Sequence, residues 1–371
     1  MEIYVITLLV LFLFSVIELR VDLTEVQLKI MAILVYFLFV FQVGFRWQTG
    51  TDWEPYLSHF NEIVHFSDIN NTITGFEKGY SLFVLLIKLL STNYTVFLVI
   101  HALLIYNLIF QSFSRLSPYL FIALLVFYAN SIGVWGANRQ LIALGICLYS
   151  LRYITERNTL KFFLLIALAF SFHSSSILFI VFYFFNRDIK QSVLIGILIV
   201  SFIIGKTNIP YAIFSFTGQL LGGAIESKTL AYSGNFRDVA IKNQLSIIGL
   251  IRRLVYLVLF MLNYKFLATR LPYYKVLFNG FCFGLVIYFL FSSSLTIMVN
   301  RGSLYFVYLE GLLLSCQFLV FRYRIEMSYL LVLLFIVSIF FLFQSISGYE
   351  DLFVPYKGTF INTQFHRFRL Q

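Results

Sequence analysis

Apolar runs long enough to cross a hydrocarbon layer recur along this chain from one end to the other. MEIYVITLLVLFLFSVIELR opens it, KIMAILVYFLFVFQVGF follows, and MSYLLVLLFIVSIFFLF lies near the end, each with its few charges at the flanks. A backbone in lipid must satisfy its own polar groups, which leaves only helices and closed barrels. The period-2 alternation between polar turns that marks a barrel is missing. The runs therefore predict an all-α polytopic membrane protein. Charged residues make up 12% of the chain, against about 25% in an ordinary soluble domain.

With about 20 apolar residues per crossing, about ten full transmembrane helices are expected, at 3–19, 29–45, 94–113, 118–135, 137–153, 190–205, 250–267, 276–295, 302–321 and 328–346. The segment 76–91 is short and carries Lys88, so it reads as an interfacial helix. The segment 160–186 is too long for one crossing and has His173-Ser174-Ser175-Ser176 at its middle. Arg152, Arg157 and Lys161 precede it, and Arg187 and Lys190 follow. The positive-inside rule puts both basic clusters in the cytoplasm, so 160–186 is expected to form a short two-helix hairpin with His173 at the far turn. That choice sends 46–93, Asn138-Arg139, His173, 206–249, Asn300-Arg301 and both termini to the outer face. The chain reads as a single transmembrane domain over 1–371, with 46–93 and 206–249 as external loops containing short helices.

The same rule accounts for the net charge of +10 without nucleic acid. Cys147, Cys282 and Cys316 are odd in number and sit in apolar runs, so they read as packed thiols. The first run lacks a basic start and a small-residue cleavage site, and reads as a retained helix. No Walker A, HExxH or DxD spacing appears, and neither a cofactor nor a metal is expected.

Four arginines on the expected outer face, Arg46, Arg139, Arg237 and Arg301, point to an anionic ligand, because a guanidinium fork matches phosphate oxygens. Snorkelling to lipid headgroups is the bland alternative for any one of them. Asp52, Glu54 and Glu77 are the nearest carboxylates in that topology, and Asp52 is the preferred proton acceptor. His173 is suited to handle a hydroxyl proton near neutral pH; His101, in mid-helix, reads as structural. Arg301, Tyr305 and Tyr308 share one helical stripe.

RWQTGTDWEPY at 46–56, Glu77-Lys78-Gly79-Tyr80, Asn138-Arg139-Gln140, Phe172-His173-Ser174, Arg301 and Pro355-Tyr356 together resemble the EpsG family of Wzy-type polysaccharide polymerases over nearly the whole chain. The resemblance implies a GT-C-like glycosyltransferase in the bacterial inner membrane, acting on glycans linked to polyprenyl pyrophosphate. A chain-length regulator is an implied partner, beside membrane lipid. It casts Asp52 and His173 as catalytic, Arg46, Arg139, Arg237 and Arg301 as pyrophosphate-binding, and Tyr56, Glu77, Tyr80, Gln140 and Tyr305 as substrate-binding. A lipid-linked sugar flippase and a membrane-bound sugar acyltransferase are the rival readings. The first would place charge near the bilayer midplane in broken helices, and the second has no need of several external arginines.

The topology has a direct check. Cysteines placed at Gly218, Gly234 and Gly358 should label from outside the cytoplasm; labelling from the cytoplasmic side alone would overturn it.

Overall fold

The computed structural model describes residues 1–221, 247–293, 295, 299 and 301–365. Among them every regular element is helical, and the one isolated bridge pairs Arg46 with Gly358. The chain packs as two compact units, Met1–Ile180 with Leu314–Gln371, and Val181–Leu313.

The first unit contains α1 (Glu2–Arg20), α2 (Glu25–Gly44), α3 (Trp53–Glu62), a 3-10 turn, α4 (Lys78–Lys88), α5 (Tyr94–Leu116), α6 (Leu120–Ser131), α7 (Asn138–Thr155) and α8 (Thr159–Phe172). The long α16 (Arg324–Ser347) and the short α17 (Glu350–Phe353) return to it. Polar residues start these helices where the apolar runs begin. Thr24 and Gln27 form a reciprocal cap on α2, while the side chains of Asn93 and Asn158 accept the Thr95 and Lys161 amides at 2.8 and 3.2 Å. The start of α6 is capped from another helix, for the Glu18 carboxylate accepts the Leu120 and Phe121 amides at 2.7 and 2.9 Å.

α6 is apolar all round and lies buried against α1 and α16. Outward stripes such as Ile6, Leu9 and Leu13 on α1, and Val332, Leu333 and Ile336 on α16, are exposed and suited to lipid. The links 21–24, 117–119, 156–158 and 321–323 share one end of this bundle, where Arg115 pairs with Glu156 and Arg324 with Asp22. Segment 45–52, residues 135–139, the His173 break and the tail from 350 gather at the other.

The second unit holds α9 (Gln191–Gly205), α10 (Ile209–Leu221), α11 (Ile247–Leu262), α12 (Tyr264–Arg270), α13 (Tyr274–Phe291), α14 (Leu304–Val307) and most of α15 (Leu309–Gln317). α9 packs on α13, and the Asn279 amide donates to the Phe185 and Arg187 carbonyls at 2.8 and 2.9 Å. Lys275 pairs with Asp188 at 2.5 Å.

The chain is thus a helical, multi-pass membrane protein, with a different count of spans from that expected. Among the described residues five helices are long and apolar enough to cross a bilayer, and the count reaches seven if α9 with α10 and α11 with α12 are each one bent span. The expected ten lose members because apolar runs break before full length: α6 ends in a 3-10 turn at Ile132, and 302–321 is interrupted at Tyr308. The 160–186 segment does break at His173, which is extended, but its second arm Ser174–Phe184 winds as a 3-10 helix where an α-helix was expected. Part of the expected loop 206–249 is helical, and 222–246 lies outside the described residues.

Candidate functional site

The RWQTG segment is shaped by a tail that comes back to it from the far end of the chain. Thr359 N–H donates to the Phe45 carbonyl at 2.8 Å, Trp47 N–H to Lys357 at 3.0 Å, and Gly50 N–H to Leu352 at 3.2 Å. The Thr49 hydroxyl donates to the Lys357 carbonyl at 2.8 Å, across 308 positions of sequence. The Tyr356 hydroxyl donates to the Gln42 carbonyl at 2.9 Å, which pins the last turn of α2. These bonds occupy the backbone of a segment that forms neither helix nor sheet.

Two glycines then bring this turn against the head of α7. Gly50 has φ +112°, a conformation that side chains rarely adopt, and a Cβ there would lie 3.1 Å from the Gly136 nitrogen. A Cβ on Gly136 would come within 2.5 Å of the Thr51 nitrogen and 2.6 Å of the Asp52 nitrogen. Backbone therefore meets backbone, and Asp52 is set beside Asn138-Arg139.

Arg46 is only 1% exposed and is consumed by this junction. Its guanidinium donates to the Val43 carbonyl at 2.9 Å and to Asn138 Oδ1 at 2.6 Å, and the His101 ring bonds the Asn138 carbonyl from the other side at 3.0 Å. Among the described residues no carboxylate lies within ion-pair distance of Arg46. Burial pulls its pKa below the usual arginine value.

Arg139, in the first turn of α7, is differently placed. Its Cζ lies 3.7 Å from the centre of the Phe76 ring, Nη1 pairs with Glu77 Oε2, and Nε donates to the Tyr56 hydroxyl at 3.3 Å. Among the described residues its Nη2 makes no hydrogen bond, and the side chain keeps 15% of its surface exposed. Glu77 Oε1 accepts the Ser174 amide at 3.1 Å. Burial opposes ionisation of Glu77, but the Arg139 charge, that amide and the nearby His173 outweigh it and hold the carboxyl below its ordinary value. The first turn of α4 can reach the end of α8 because Gly79 lies on Ser171, where a Cβ would meet the carbonyl oxygen at 2.6 Å.

His173 is buried, and its Nδ1 meets the Ser175 hydroxyl at 2.7 Å and accepts the Ser175 amide at 3.4 Å. Asp52 is exposed at the start of α3, in a narrow crevice with Arg46, Tyr56 and Asn138. Tyr80 is fully buried, edge-on to Tyr56 and Phe97, and Gln140 is buried one position after Arg139.

One end of the first unit thus collects Arg46, Asp52, Tyr56, Glu77, Tyr80, Arg139, Gln140 and His173. Arg301 and Tyr305 belong to the second unit, the former exposed and the latter buried, and Arg237 lies outside the described residues. Among the described residues no three His, Cys, Asp or Glu side chains are grouped to hold a metal.

Two features escaped the sequence reading. His59, one helical turn after Tyr56, is buried beneath Phe76, with Nδ1 on the Thr74 hydroxyl at 2.6 Å and Nε2 on Ser81 at 3.1 Å. Its spacing from Tyr56 was the available signal. In the second unit, Arg252 lies 3.6 Å from Glu310 and Arg253 stacks 3.9 Å over Tyr288. Adjacent arginines inside an apolar run were the signal there.

Comparison with known protein families matches residues 29–358 to the EpsG family. The chain belongs to that family. Its members are Wzy-type polymerase-like, which gives this chain a polysaccharide polymerase-like role in a membrane. No curated protein and no solved structure matches the chain.

Gly136→Ala should destabilise the protein by about 1–3 kcal/mol through overpacking. A lowered melting temperature in detergent is expected, with Gly196→Ala, where a Cβ meets nothing within 4 Å, as the neutral control. The pH profile of the same melt reads out His59. Burial pushes its pKa from 6.5 down to about 4. The unfolded chain therefore takes up a proton that the folded one refuses, so this contribution is complete above 6.5 and lost as pH falls towards 4. His59→Gln should flatten that slope, and an unchanged slope would disprove the assignment.

Proposed function

We propose that this protein polymerises oligosaccharide repeat units carried on polyprenyl pyrophosphate, at the outer face of the bacterial inner membrane, with the cluster around Arg139 as its active centre. The observation that carries this reading is the Arg139 guanidinium, seated on Phe76 and held by Glu77 and Tyr56, with Nη2 still able to donate. Family membership supplies the reaction class.

In the step proposed, an acceptor-sugar hydroxyl oxygen attacks the anomeric carbon of the donor glycan. The carbon–oxygen bond to the pyrophosphate breaks, and polyprenyl pyrophosphate leaves with the electron pair. Asp52 takes the hydroxyl proton. It is chosen over His173 because it lines the crevice beside Tyr56 and Asn138, whereas His173 Nδ1 is engaged by the Ser175 hydroxyl and amide. Arg139 Nη2 donates to the departing phosphate, where one preorganised contact of this kind is worth about 3–4 kcal/mol in a transition state. Arg46 is enclosed and acts through Asn138, keeping the head of α7 in place. A direct displacement of this kind inverts the anomeric centre.

Purified protein incubated with lipid-linked repeat units, without nucleotide sugar, should give a ladder of longer glycans. Arg139→Lys keeps the charge and loses the fork, so turnover should fall at least about tenfold, or about 1.4 kcal/mol in the barrier. Full polymer from a variant with wild-type expression and melting temperature would remove Arg139 from the mechanism.

A further inference from the structure

α2 and α5 touch closely where Gly44 lies on Val99, a contact in which a Cβ would stand 2.9 Å from the Val99 Cα. Towards the opposite ends of the same helices a cavity of about 850 Å³ opens, within the range of small-molecule sites, about 300–1,000 Å³. Its composition changes along its length. Ile33, Tyr36, Phe37 and Phe110 form the apolar part, while Lys29, Arg115 and Arg152 stand at the end near the basic links. Ile33 and Phe37 are more than half exposed, so the apolar part opens sideways to where lipid would lie.

Arg152, in the last turn of α7, is held as a fixed cation. Its guanidinium lies 3.7 Å over Tyr149 and 4.5 Å over Tyr153 and donates to both hydroxyls, while its buried Nε has no hydrogen-bond partner among the described residues. Against three cations stand two carboxylates: Glu156, paired with Arg115, and the exposed Glu25, 3.8 Å from Lys29. The cavity end is therefore net positive.

We propose that this cleft holds one anionic phospholipid, its phosphate between Arg115 and Arg152 and an acyl chain along Ile33 and Phe37. The amphiphilic gradient fits such a molecule, with a headgroup at the cationic end and hydrocarbon at the open side. The occupant is not the glycan donor. Lys29 and Arg46 are 17 positions apart on and just beyond α2, about 25 Å at 1.5 Å per residue, so a carrier lipid seated here would hold its sugar far from Arg139. The site thus stands independently of the proposed polymerase chemistry.

Native mass spectrometry of the intact, detergent-purified chain tests it, with phosphatidylglycerol and phosphatidylcholine as probes. Phosphatidylglycerol should be retained at roughly tenfold lower concentration, the scale expected for a few basic side chains near a headgroup. Arg115→Gln with Arg152→Gln should abolish the preference, and Glu156→Gln, which releases Arg115, should strengthen it. Because Arg152 is packed on two rings, Arg115→Gln alone is measured alongside, with melting in phosphatidylcholine to confirm the fold. Ala32→Trp, which fills the cleft, should remove retention of both lipids. Equal retention of the two lipids would overturn the proposal. So would a preference untouched by the charge variants, full displacement by millimolar inorganic phosphate, or a lipid-free dimer sealed over this face.

Discussion

The contact between Gly50 and Gly136 is the constraint on which the polar end of the first unit depends. Neither glycine carries chemistry, yet a methyl group on Gly136 would collide with the backbone of Thr51 and Asp52. That contact fixes the turn after α2 against the head of α7. Asn138 then lies within reach of the Arg46 side chain, and Arg139 is aimed into the gap between α3 and α4. The bound tail reinforces the same turn from outside through backbone bonds that any sequence able to adopt the shape would make. Side-chain geometry at this site is thus a consequence of backbone packing, which is how a cluster on irregular segments acquires definition.

Much of this was legible in the sequence, and the part that was not has physical reasons. The apolar runs located the long helices to within a few residues, since hydropathy reports transfer into lipid directly. His173 was recognised as a break because two basic clusters flank a run too long for one crossing. Helix length was harder to read, because apolarity does not reveal where a run kinks: 302–321 looks continuous, but Tyr308 interrupts it. The motif residues were seen to share one end, but their partners were invisible. Nothing in the spacing says that Arg46 would spend itself on Asn138 while Arg139 engaged Glu77 and Tyr56. His59 was missed because a histidine on a short amphipathic helix resembles many solvated ones, and only the fold places Thr74 and Ser81 on its two nitrogens.

Arg46 and Arg139 show how burial divides two cations that the sequence treats alike. Both are charged groups removed from bulk water, where desolvation must be met by hydrogen bonds or a counter-charge. Arg139 has Glu77, a charge-assisted bond backed by the Ser174 amide, and the face of Phe76. Arg46 has carbonyl and amide oxygens and a ring of tyrosines. This enclosed cation contributes positive potential to the crevice that Asp52 shares with it. In low dielectric such a field is felt more strongly than in water. It favours any anion that enters the crevice.

The two ends of the first unit then use arginine in opposite ways. At the end of the linking loops, Arg115 and Arg324 pair with partly or fully exposed acids, pairs that contribute little energy but mark a surface. At the other end the basic residues are fewer and more deeply engaged. The same helices, α2, α5 and α7, join both regions, so any change in their relative tilt would be felt at Arg46 and Asn138 on one side and at the cleft between Lys29 and Arg152 on the other. α2 and α5 are fastened where Gly44 meets Val99, next to the Arg46 turn, and part towards the cleft. Whatever fills the cleft would therefore prop the helices at their free ends while the closed ends hold the site, and on the proposed reading that occupant is a lipid.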